Sequence, residues 1–159
     1  IFLEKKFKDL AANGYKVSIA RCYTFIGRNI MPYNYVISDL INDALKKKEI
    51  KLKTTANLYR SFMHSDDLAK WLITIVKNSN TKCPIYNVGS DKVINLRKLT
   101  KKIAKLFDKK TLLKKISSKK FDYYCPSIAK AKKELNLKIS INLNDALNST
   151  INFKWKKYK

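Results

Sequence analysis

The chain has 159 residues, 45% of them hydrophobic and 11% aromatic, enough for one domain with its own core and too apolar for a disordered tail. Its formal charge of +23 comes almost wholly from lysines scattered through every predicted element, with arginine only at 21, 28, 60 and 97; this reads as solvated faces, and specific nucleic-acid binding is not expected. No apolar run reaches bilayer length, the first residues lack the order of a signal peptide, and Cys22, Cys83, Cys125 and the single His64 give no material for a disulfide framework, a zinc site or a Ser-His-Asp triad.

In chain order, Leu3, Phe7, Leu10 and Ala11 share one face and predict the end of a helix over 3–12, stopped by Gly14. A short apolar strand follows over 17–22, then a loop marked by Gly27, Asn29 and Pro32. Ile37, Leu40, Ile41, Ala44 and Leu45 recur at helical spacing up to the lysines at 46–48. Strands are expected over 49–53 and 60–64. Ser65 then reads as an N-cap, with Asp66 and Asp67 in the first turn of a helix that turns Leu68, Trp71, Leu72, Ile75 and Val76 inward. A buried-type strand covers 84–89. Asn95 caps a helix with Leu96, Leu99, Ile103 and Leu106 inward. Residues 111–126 form a strand and an irregular loop, Ser127 starts a short helix, and Asn142 with Asp145 makes a capping pair for the last helix. Strands alternating with helices predict a parallel α/β layer.

Two features bear on chemistry. Arg60 opens a short strand and sits before a capped helix, an element edge where a guanidinium can fork two donors onto a diphosphate; an ion pair with Asp66 or Asp67 is the plainer alternative. The three glycines, at 14, 27 and 89, are isolated, so no glycine-rich loop joins a strand to a helix and no dinucleotide phosphate cradle is visible. A chain that opens on the tail of a helix, without a first βαβ unit and with Ile at position 1, is expected to be a fragment of a larger enzyme.

The order of motifs resembles a known family. Val17 to Gly27 (VSIARCYTFIG), Arg60 to Ala69 (RSFMHSDDLA), Ile85 to Ser90 (IYNVGS), Leu96 to Leu99 (LRKL) and Ala129 to Leu135 (AKAKKEL) together look like the carboxy-terminal half of the NAD-dependent epimerase/dehydratases, the extended short-chain dehydrogenase/reductases. The dTDP-glucose 4,6-dehydratase type is the nearest in flavour. The resemblance implies the later part of a Rossmann-like fold, with a small substrate-binding α/β subdomain and the amino-terminal dinucleotide-binding half missing. It also implies NAD as cofactor, a nucleotide-sugar substrate, a homodimer packed on the helix ending near Ala12, and a cytoplasmic enzyme.

Glu4 is similar to the glutamate one helical turn after the family's catalytic lysine. The Tyr-x-x-x-Lys pair and the NAD loop would then lie upstream of Ile1, leaving no catalytic residue here and a fragment inactive by itself. The resemblance makes Arg60 a ligand of the nucleotide diphosphate and puts Thr24 near the substrate. Cys22 and Tyr23 would line the turn by the nicotinamide. Tyr123 takes the place of a second phosphate-binding arginine expected near 120–124. His64 is expected to pack within its strand. Thr54-Thr55-Ala56 replaces a Gly-Asp-Gly-like turn, and Arg28 replaces a proline. Such departures also suit a degenerate inactive copy, and the charge of +23 leaves open a basic nucleic-acid-binding module without enzymatic activity.

Overall fold

The computed structural model describes residues 2–28, 35–117, 119 and 121–157, with side chains as far as Phe153. The loop markers Asn29 and Pro32 lie outside the described residues. The elements run α1 (Phe2–Ala12), β1 (Ile19–Cys22), β2 (Phe25–Ile26), α2 (Val36–Lys46), β3 (Glu49–Leu52), β4 (Asn57–Ser61), β5 (Met63–His64), α3 (Ser65–Lys77), β6 (Ile85–Val88), β7 (Val93–Asn95), α4 (Leu96–Leu106), β8 (Lys110–Leu113), β9 (Phe121–Tyr124), α5 (Ala129–Leu135) and α6 (Leu143–Lys157).

The architecture is α/β. Parallel pairs β1–β6, β2–β5 and β3–β8 accompany a three-stranded sheet in the order β7-β4-β9, in which β4 runs parallel to β9 and antiparallel to β7. Two apolar cores hold it. In the larger, Ile37, Leu40 and Ile41 of α2 meet Leu99 and Ile103 of α4 and Leu147 of α6, with Ile50 of β3. In the smaller, Trp71 and Ile75 of α3 pack with Met63, Val88 and Ile128.

The run expected as one strand over 60–64 is two strands in different sheets. β4 starts at Asn57 and ends at Ser61, Phe62 is buried at the break, and Met63–His64 crosses to pair with β2. The residue that caps α3 is His64 and not Ser65: its Nδ1 accepts the Asp66 N–H at 3.2 Å, while Nε2 lies 3.0 Å from Ser149 Oγ on α6. Ser65 is instead the residue against which Gly27 packs, and a Cβ on Gly27 would come within 2.7 Å of Ser65 Cβ. Val76 and Leu106, expected inward, are exposed. Leu106 closes α4, and the buried position beyond it goes to Phe107. The caps at Asn95 and Asn142 form as expected, each side chain accepting two backbone N–H groups of its own helix.

Candidate functional site

A cavity of about 770 Å³ opens where the β1–β2 turn, α2, β3, β4 and β9 converge. Its wall includes Thr24 from the turn, Tyr35, Asp39 and Asp43 from the α2 side, Lys51 and Lys53 from β3 and its end, Arg60 from β4 and Tyr124 from β9. Register explains why Arg60 and Tyr124 meet. They are direct partners in the parallel β4–β9 ladder, and the guanidinium carbon stands 5.8 Å from the tyrosine ring centre.

The charges here are partly spoken for. Lys47 pairs with Asp43 at 2.7 Å, one turn earlier in sequence. Arg60 meets neither Asp66 nor Asp67; it pairs with Asp122, Nη2 to Oδ2 at 2.5 Å, and Nη1 donates to the Tyr59 carbonyl at 2.8 Å. Asp67 is buried and serves structure, accepting the N–H groups of Ser140 and Ile141 at 3.0 Å each and the Ser140 hydroxyl.

Thr24 is fixed by its carbonyl, which accepts the Met63 N–H at 3.0 Å. Its Oγ1 is buried and has no partner. An unpaired buried hydroxyl costs on the order of 1–3 kcal/mol, and this one is closed off from solvent although its residue lines the cavity. Thr24 and Arg60 thus share one cavity. Tyr123 does not line it: strand alternation turns that side chain to the other face, where it stacks with Tyr59 and Phe121, each ring centre 6.3 Å away. The adjacent Tyr124 holds the wall position. Tyr23 leans on Tyr124 at 4.9 Å between ring centres, just behind the wall. Cys22 is exposed, and desolvation pushes its thiol up, away from thiolate character.

The glycines do not form a dinucleotide cradle. Gly14 ends α1, Gly27 packs on Ser65, and Gly89 lies against Pro126 and Tyr23, where a Cβ would come within 2.9 Å of the proline ring. Among the described residues no group of three His, Cys, Asp or Glu is placed to hold a metal ion. No described helix is long and apolar enough to cross a membrane.

The model of the NAD dependent epimerase/dehydratase family matches residues 5–89. The chain belongs to this family. A search of curated proteins gives no match. Among solved structures, a UDP-glucose 4-epimerase from Thermotoga maritima with UDP-glucose superposes with a TM-score of 0.83 at 18% identity, over 98% of this chain and 52% of that one. An epimerase from Methanothermobacter thermautotrophicus gives 0.81 at 16% identity, over 99% and 47%. A dTDP-glucose 4,6-dehydratase from Bacillus anthracis in complex with NAD gives 0.73 at 19% identity, over 88% and 45%. These likenesses establish a shared fold, and the chain spans about half the length of the structures it matches. Epimerases and a dehydratase match alike, so the fold does not single out the dehydratase type.

Sequence reading does not single out Tyr124, Tyr35 or Asp122. The signal for Tyr124 is present as two adjacent tyrosines on a strand, one of which must face each way. Choosing between them needs the β4–β9 register, which pairs residues more than sixty positions apart.

Proposed function

We propose that this epimerase/dehydratase chain forms the sugar-nucleotide-binding portion of an NAD-dependent nucleotide-sugar enzyme, with the diphosphate held at Arg60 in the 770 Å³ cavity. One observation carries the reading: the mostly buried Arg60 side chain lines the same cavity as Thr24, Lys51 and Lys53. A forked cation suits a diphosphate. Of the substrate-binding residues expected from the sequence, Arg60 and Thr24 keep that role, and Tyr124 replaces Tyr123 in it.

The reaction class is 4-epimerisation or 4,6-dehydration of the sugar. Hydride chemistry on NAD needs a phosphate cradle and a Tyr-x-x-x-Lys pair, and the sequence has neither. We assign both to residues outside these 159, with Cys22 and Tyr23 near the nicotinamide. The exposed Phe2, Leu3, Phe7 and Leu10 of α1 suit a homodimer contact in a cytoplasmic enzyme.

Calorimetric titration with UDP-glucose and dTDP-glucose tests the site. Arg60→Ala should weaken the preferred ligand by roughly 1.5–3 kcal/mol, the range for hydrogen bonds to charged groups. NAD should bind this chain no tighter than millimolar. Equal affinity of parent and variant for both sugar nucleotides would remove Arg60 from the site.

A further inference from the structure

The guanidinium that faces the cavity is already engaged. Asp122 stands on β9, an edge strand of its sheet, in register with Leu58, and its carboxylate reaches back to Arg60 Nη2 at 2.5 Å. Its own carbonyl also accepts from Nη1, at 3.4 Å, beside the closer Tyr59 carbonyl. The two partners are unequally placed: the Arg60 side chain is 19% exposed and that of Asp122 is 54% exposed. The arginine is fixed by its strand, its carbonyl partners and the Tyr124 ring, while the aspartate side chain is the half-exposed partner, open to water.

A phosphate and this carboxylate compete for the same donors. They also repel, so a diphosphate arriving at Arg60 must displace Asp122 or bear its charge nearby. Displacement is cheap on the aspartate's side, because its half-exposed carboxylate is readily hydrated and its pairing is screened by salt. The pair has a use at rest. Lys51 and Lys53 line the same cavity, opposed there by Asp39 and Asp43, and the Asp122 carboxylate on Arg60 offsets the guanidinium's share of the positive field.

We infer that Asp122 is a charge gate on this cavity, holding Arg60 until a phosphate-bearing ligand replaces it, and so setting how strongly the site responds to ligand charge. The inference rests on the reading of Arg60 as the diphosphate anchor. Asp122 acts through Arg60, as a positioning residue.

The test is calorimetry with UDP and with uridine at fixed ionic strength, on the parent chain, Asp122→Asn, Arg60→Ala and the double variant. Asparagine keeps the shape and one acceptor and removes the charge. The gate predicts that Asp122→Asn binds UDP about two- to fivefold more tightly, the range for an exposed ion pair. Uridine, which has no phosphate, should be unaffected, and the gain should vanish when Arg60 is alanine. If Arg60→Ala weakens UDP binding but Asp122→Asn leaves it unchanged or weakens it, the gate is wrong and the anchor stands. A gain that persists without Arg60 also overturns the gate. If Arg60→Ala has no effect, or no variant binds UDP, the anchor fails and the gate fails with it.

Discussion

Helix α3 buries Trp71 and Ile75 and ties its first turn to the far end of the chain through Asp67, whereas α1, only slightly shorter, buries Ala11 and leaves Phe2, Leu3, Phe7 and Leu10 in solvent, with Phe2 72% exposed. Both helices carry an apolar stripe at helical spacing. For α3 the stripe finds β5, β6 and α5 within the chain. For α1 a bidentate pair on the surface, Arg21 Nε and Nη2 to Glu4 at 2.7 Å each, ties the helix to β1. The Arg21 guanidinium holds the Glu4 carboxyl below its usual range, as an ion pair should. An amphipathic stripe states that a face wants cover; it does not state what covers it.

The contrast breaks most sharply at Asp67. Its carboxylate accepts two backbone N–H groups and one hydroxyl, all from the segment leading into α6, inside a site 1% exposed. Asp67→Ala leaves those donors without a partner and should cost roughly 3 kcal/mol or more in urea unfolding. Asp67→Asn, which keeps one acceptor, should cost about half as much. A loss under about 1 kcal/mol for alanine, the worth of a single ordinary hydrogen bond, would mean that α3 is held by packing alone, and the two helices would differ only in burial.

A smaller effect is expected at the entry to α3. A Cβ on Gly27 would overlap the Ser65 side chain at the first residue of the helix, and one of the two segments would have to move. Gly27→Ala should therefore destabilise by about 1–3 kcal/mol, the usual range for overpacking. The corresponding glycine after α1, Gly14, adopts φ +89°, and a Cβ added there would meet no atom within 4 Å. Gly14→Ala should lose about 1 kcal/mol, from backbone conformation alone. Equal losses at both positions would show that Ser65 gives way freely.

Much of this is legible in the sequence. The helix spans, the Asn95 and Asn142 caps and the strand at 85–88 follow from local spacing and capping chemistry, which need only near neighbours. Arg60 and Thr24, which the resemblance assigns to the diphosphate and to the neighbourhood of the substrate, both line one cavity, and their roles there are proposed. What local pattern misses is set by distant partners. The split of 57–64 into two strands depends on β2, β7 and β9. Arg60's partner is sixty-two residues away, on a strand whose aromatic run looks alike from either face. Ser65 has the right chemistry for an N-cap, but the turn from β5 into α3 is so tight that the His64 ring reaches the Asp66 N–H first.

The smallest expected change in stability carries the most information about α1. Phe7 lies mid-helix and is 45% exposed, so Phe7→Ser removes only part of a side chain's apolar contact within the chain. Its urea midpoint should correspond to a change within about 0.5 kcal/mol, as for ordinary surface substitutions. Association should change far more. A helix presenting four large apolar side chains to water favours self-contact, and the net charge of +23 opposes it less as salt screens the repulsion. At physiological salt the parent should sediment heavier than a monomer and take up an apolar dye, and Phe7→Ser should reduce both. A loss above about 1 kcal/mol in the variant, beyond the surface range, would show instead that the α1 face packs within the chain. A parent that sediments as a clean monomer without dye uptake would remove α1 as the homodimer contact, and its exposed stripe would then need another partner or none.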